Sequence, residues 1–99
     1  MPVVCVENRR DFESGVLGGE FVVVKFGASW CPPCQRCAPL FAKYAEEAEE
    51  ADGCAGITAF ASLELDANEE LSEIASQYGC SSIPTFCVFR RGDLVVSKV

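Results

Sequence analysis

Gly27-Ala28-Ser29-Trp30-Cys31-Pro32-Pro33-Cys34 is the stretch whose reading decides the fold. Before it runs Phe21-Val22-Val23-Val24-Lys25-Phe26, β-branched and almost continuously apolar, as a central strand covered on both faces requires. After it, from about Cys34 to Ala51, the spacing predicts one long helix, with Leu40, Phe41 and Tyr44 inward and Glu46, Glu47, Glu49 and Glu50 outward. Pro39 is expected to kink that helix. Cys31 therefore falls where unpaired backbone N–H groups and the helix dipole favour an anion, and the anion favoured is its own thiolate. Cys34 follows one turn later, on the same face and close enough for a bridge. Pro32-Pro33 suits a helix opening but removes two backbone donors, so the predicted support for the thiolate is smaller than with a donor-bearing spacer.

C-x-x-C between a strand and a helix is a redox signal. The same residues also fit a plain helix-capping pair. Cys31, Cys34 and Cys37 further form C-x-x-C-x-x-C, an iron–sulfur or zinc spacing, but no fourth cysteine follows closely and Cys37 would lie within a helix. No metal and no cofactor is predicted.

Outward from the motif, Phe12, Val16 and Leu17 recur at helical spacing over Arg10 to Leu17, a short helix that stops at Gly18-Gly19. Ile57 to Leu65 reads as a second central strand. Asn68 can cap a helix through Tyr78, with Gly79 just past its end. Ile83 to Phe89 and Leu94 to Val96 flank Arg91-Gly92-Asp93, a hairpin signature. Strands alternating with helices and closing in a hairpin predict an α/β sheet, parallel in its centre with an antiparallel edge.

At 99 residues and 49% apolar, the chain is expected to form one domain over 1–99. The formal charge of −7 argues against nucleic acid and anionic membrane as partners. No signal peptide or spanning stretch is evident, and a cytoplasmic location is expected. Seven cysteines are an odd number beside a substantial apolar core, so most are expected to be reduced. With no histidine, the chemistry must run on sulfur or carboxylate.

The motif from Phe26 to Cys34, with Ala38-Pro39, Leu65-Asp66, Ile83-Pro84-Thr85-Phe86 and Gly92, resembles the thioredoxin family in residue type, order and spacing. The Pro-Pro spacer after Ala-Ser-Trp is similar to tryparedoxins, while the chain length looks more like ordinary thioredoxins. The resemblance implies a thioredoxin-like fold, a central mixed β-sheet flanked by helices, and reduction of disulfides in client proteins. Cys31 would attack the disulfide, Cys34 would resolve the mixed disulfide, and a thioredoxin-reductase-like protein or a dithiol donor would regenerate the pair. Trp30 would flank the thiol. Ile83-Pro84 would lie opposite with a cis peptide bond, turning the Ile83 backbone toward a bound peptide.

The chain departs from the family pattern in two places. Where the family carries a buried carboxylate on the central strand, this chain has Lys25, and Ser62 stands where the neighbouring strand usually has lysine. Glu64, on the face of Ser62, is expected to neutralise Lys25. As a catalytic residue, Lys25 would favour ionisation of a cysteine as a cation, or accept a proton as a neutral amine; the plain alternative is a packed stem with its ammonium reaching water. The second departure is that the family pattern continues into a C-terminal helix while this chain stops at Val99, so an uncovered apolar face, or a partner on it, is expected.

Cys5, Cys54, Cys80 and Cys87 are expected to be small buried hydrophobes, although Cys54 between Gly53 and Ala55 looks exposed enough to pair between molecules. The acidic run Glu46 to Asp52 reads as a solvated helix face. The leading function is thus a dithiol protein-disulfide oxidoreductase in cell redox homeostasis. Its rival is a non-catalytic thioredoxin-like module that recruits or senses a protein through a strand edge or open sheet face.

Overall fold

A computed structural model describes residues 3–50 and 59–98. Its elements run β1 (Val3–Val6), α1 (Arg9–Phe12) continued by a π-helical turn over Glu13–Leu17, β2 (Phe21–Gly27), α2 (Pro32–Glu50), β3 (Ala59–Glu64), α3 (Glu69–Gln77), β4 (Thr85–Arg90) and β5 (Asp93–Lys98). The five strands form one sheet in the order β1-β3-β2-β4-β5. β1 and β2 pair parallel with β3, whereas β4 is antiparallel to β2 and β5 to β4. This is the expected thioredoxin-like α/β sheet. β1 is the strand the sequence reading left out: four residues carry little pattern of their own, and pairing Val3 to Val6 with Phe60 to Leu63 fixes them.

Side chains alternate across each strand, so β2 supplies both cores. Val22, Val24 and Phe26 join Leu63, Phe89, Phe12 of α1 and Leu71 and Ile74 of α3 on one face. There Phe12, Tyr78 and Phe89 form edge-on and tilted ring contacts with centroids 5.1–5.8 Å apart, the geometry aromatic quadrupoles prefer. On the other face α2 lays Phe41, Ala45 and Ala48 against Phe60, with Val23 and Phe86 beside them. Leu40 and Tyr44, expected inward, are instead 52% and 58% exposed. The inward stripe is 41, 45, 48, and its two alanines let the helix lie close to the sheet.

Local signals set the ends of the elements. Asn8 and Asn68 accept hydrogen bonds from the N–H groups of Asp11 and Leu71 at 2.8 and 3.0 Å, capping α1 and α3. Gly79 follows α3 at φ +72°. In the hairpin, Arg91 and Gly92 both take positive φ, 50° and 86°, as a two-residue turn of the primed type needs. Arg91 is held there by its N–H to the Glu20 carbonyl at 2.8 Å and its guanidinium to the Glu20 carboxylate at 3.0 Å.

α2 begins two residues earlier than expected, at Pro32, and continues through Pro39. β4 begins at Thr85, leaving Ile83 and Pro84 in the bend before it. β5 is exposed along its whole length, including Leu94, Val95 and Val96. Ala51, Asp52, Cys54, Ile57 and the chain end at Val99 lie outside the described residues.

Candidate active site

Strand direction gathers the site. β2 and β3 run parallel, so the segments after Gly27 and Glu64 leave the same edge of the sheet, and antiparallel β4 starts there opposite Phe26. The Leu65 N–H donates to the Gly27 carbonyl at 2.8 Å, extending the strand pairing to the site's threshold.

Cys31 and Cys34 sit just before and inside the first turn of α2, 4% and 2% exposed. The Cys34 backbone N–H donates to the Cys31 sulfur at 3.3 Å, and the Cys34 thiol donates to the same sulfur at 2.7 Å. Both donors of residue 34 thus converge on residue 31, so Cys31 Sγ is the acceptor of the pair and Cys34 its donor. Burial, and next the hydrogen bond given to Cys31, push the Cys34 thiol above its ordinary range. Cys34 therefore keeps its proton.

Gly27 is where a side chain would obstruct this pair: a Cβ there would meet Cys34 Sγ at 3.2 Å and Cys34 Cβ at 3.3 Å. The segment between strand and helix is held by Asp66, which accepts from the Ser29 N–H at 3.1 Å and the Ser29 hydroxyl at 2.5 Å. Those bonds, hydroxyl first, hold the Asp66 carboxyl below its usual range. The Gln35 amide closes the turn by donating to the Ser29 carbonyl at 2.7 Å. Asp66 belongs to the Leu65-Asp66 part of the family pattern, and the sequence signal for its task is that a polar residue just past β3 faces the segment just past the parallel β2.

Ile83 packs against the group formed by Ala28, Cys31 and Cys34, and the Ile83-Pro84 peptide is cis, as expected. The Thr85 hydroxyl bonds back to the Ser82 carbonyl, fixing the bend. Trp30, next to Cys31, is 66% exposed. Lys25 lies on the α2 face of the sheet, 4% exposed, with its Nζ 5.9 Å from the centre of the Phe41 ring, within the range where a cation is attracted to an aromatic face. The expected neutralisation by Glu64 does not occur: no ion pair within 4.0 Å joins the two among the described residues. Their strand positions are offset by two residues, since Lys25 pairs with Ser62 while Glu64 pairs with Gly27.

The other described cysteines divide. Cys5 is exposed, against expectation, because it lies on the edge strand β1. Cys37 is partly buried inside α2. Cys87 is fully buried and Cys80 partly so, and the two share a side-chain hydrogen bond that the sequence spacing did not reveal. Among the described residues no group of three or more His, Cys, Asp or Glu side chains is arranged to hold a metal, and no helix is long and apolar enough to cross a membrane.

Comparison with known proteins gives a consistent picture. The family model described as Thioredoxin matches residues 3–99. Thioredoxin-1 of Saccharomyces cerevisiae is 34% identical over 97 residues, spanning 98% of this chain and 84% of the yeast protein. Thioredoxin 1 of Plasmodium falciparum is 32% identical over 93 residues, spanning 94% and 80%. Among solved structures, a Plasmodium falciparum thioredoxin is similar with a TM-score of 0.82 at 28% identity, over 98% of this chain and 85% of that one. A Fasciola hepatica thioredoxin is similar with a TM-score of 0.79 at 30% identity, over 97% and 85%.

Proposed function

The chain belongs to the thioredoxin family, whose general role is thiol–disulfide oxidoreduction, and from that premise we propose that it reduces disulfides in client proteins through Cys31 and Cys34. Cys31 attacks a client sulfur and forms a mixed disulfide. Cys34 then displaces the reduced client and leaves Cys31–Cys34 oxidised, and a thioredoxin-reductase-like protein or a dithiol donor returns two electrons. The observation that carries this order of roles is the asymmetry of the pair: the N–H and the thiol of Cys34 both point at Cys31 Sγ, at 3.3 and 2.7 Å. One sulfur is prepared as nucleophile, the other kept protonated until needed.

Client binding falls to Trp30 and to Ile83-Pro84. The exposed indole offers an apolar flat beside the thiol, and the Ile83 backbone offers strand-like hydrogen bonds to an extended peptide. Lys25, buried on the α2 face of the sheet two residues before Gly27, assists the exchange from beneath the cysteine pair. The proposed compartment is the cytoplasm, where reduced thiols are the rule.

The test is a disulfide-reduction assay with dithiothreitol as donor, comparing the unaltered protein with Cys31→Ser. The expected loss is about a thousandfold or more, the scale of removing a nucleophile. An unchanged rate would overturn the enzymatic reading and leave the binding-module reading standing.

A further inference from the structure

Resolution of the mixed disulfide requires a base. Cys34 is a thiol in the resting site and must lose its proton before its sulfur can attack. The chain has no histidine. Lys25 is engaged over Phe41, its Nζ 5.9 Å from the ring centre. Asp66 is already engaged by Ser29.

Glu64 remains, and the backbone puts it beside the reacting thiol. Cys34 rests on β2 at Gly27, because only the missing side chain there lets its sulfur come so close. Glu64 is the partner of Gly27 in the parallel register. Paired strands lie about 4.8 Å apart and paired residues project to the same face, so the Glu64 side chain leaves the sheet alongside Cys34. Its Oε2 is buried and has no hydrogen-bond partner among the described residues, a costly state that calls for a reason. Its charge acts on the Cys34 thiol, tending to hold the proton there. Glu64 also borders a mostly apolar cavity of about 420 Å³ to which Ser62, Asn68 and Glu7 bring polar groups, enough room and enough partners to admit water.

We propose that Glu64 is the proton acceptor for the resolving thiol and passes the proton to water in that cavity. The inference rests on the thiol–disulfide exchange proposed above. In the step, the Cys34 proton moves to the Glu64 carboxylate as the Cys34 sulfur bonds to Cys31 Sγ. The client–Cys31 sulfur–sulfur bond breaks, and its electron pair leaves with the client sulfur as thiolate. Charge is conserved within the site, since one carboxylate is neutralised as one thiolate departs. The titratable groups around Glu64 are Lys25 from β2, Cys34 from α2 with Cys31 just before it, and Cys5 from β1 with Glu7 just after it; of these only Cys34 gives up a proton in the step.

Rapid mixing with a disulfide peptide separates the two steps. Glu64→Gln is expected to slow release of the reduced client about tenfold or more at neutral pH, with the deficit narrowing as pH rises and hydroxide replaces the carboxylate. Formation of the mixed disulfide, measured by comparing Cys34→Ser with Cys34→Ser/Glu64→Gln, is expected to stay within twofold. As a second variant, Glu64→Ala is expected to regain resolving rate when formate is added. Release within twofold of the unaltered protein, equal slowing of both steps, or no response to formate would overturn the assignment. If Cys31→Ser is inactive while Glu64→Gln resolves at full speed, only the role of Glu64 fails; if Cys31→Ser is active, the underlying exchange reading fails with it.

Discussion

Cys31 and Cys34 at the mouth of α2, and Cys80 and Cys87 between the end of α3 and β4, are two thiol pairs in separate buried clusters of one small domain. Each pair shares a hydrogen bond, yet their surroundings differ. At the first pair a backbone N–H of a helix opening points at the outer sulfur, and Trp30 and Ile83 border it. At the second, burial, then the neighbouring Cys87 charge and hydrogen bond, push the Cys80 thiol up to about 12. Burial also raises Cys87, whose thiol, besides its contact with Cys80, donates to the Ser97 hydroxyl at 3.8 Å. Two sulfurs in contact are therefore not in themselves a redox centre. What separates the pairs is a donor aimed at one sulfur and a surface on which a client can lie.

The sharpest test of that contrast is alkylation resolved by residue. With its proton held to about 12 against an ordinary 9.0, Cys80 should carry about a thousandfold less thiolate at pH 7 than a free thiol, and its iodoacetamide rate should keep climbing past pH 10. Cys80 labelling as fast as free cysteine would erase the distinction. A smaller effect is expected at Lys25, which the first pair has on its sheet face and the second lacks: Lys25→Met should lower disulfide-reduction turnover about tenfold, and unchanged turnover would remove Lys25 from the mechanism. Smaller again is Gly27→Ala. Its methyl would crowd Cys34 Sγ at 3.2 Å, so turnover should fall a few-fold and unfolding free energy by about 1–3 kcal/mol, the usual cost of overpacking. Denaturant unfolding together with the reduction assay reads both.

The first pair was legible because its signals are local: an apolar run, two cysteines three apart and two prolines at a helix opening. Asn68, Gly79 and the Arg91-Gly92 turn were legible for the same reason. The second pair was not, since Cys80 and Cys87 meet only when α3 packs and β4 enters the sheet. Asp66 bonding Ser29, and Glu64 lying beside Gly27 instead of Lys25, depend on the register of β2 on β3, which no single segment encodes. Leu40 and Tyr44 are large and apolar yet face outward, because Phe41 and two alanines set the buried face of α2 and side-chain size does not encode direction.

Trapping the mixed disulfide tests the division of labour most directly. Cys34→Ser protein, mixed with a peptide disulfide and mapped by mass spectrometry, should carry one peptide, on Cys31. A peptide found on Cys37, Cys80 or Cys87, or no adduct at all, would contradict the account.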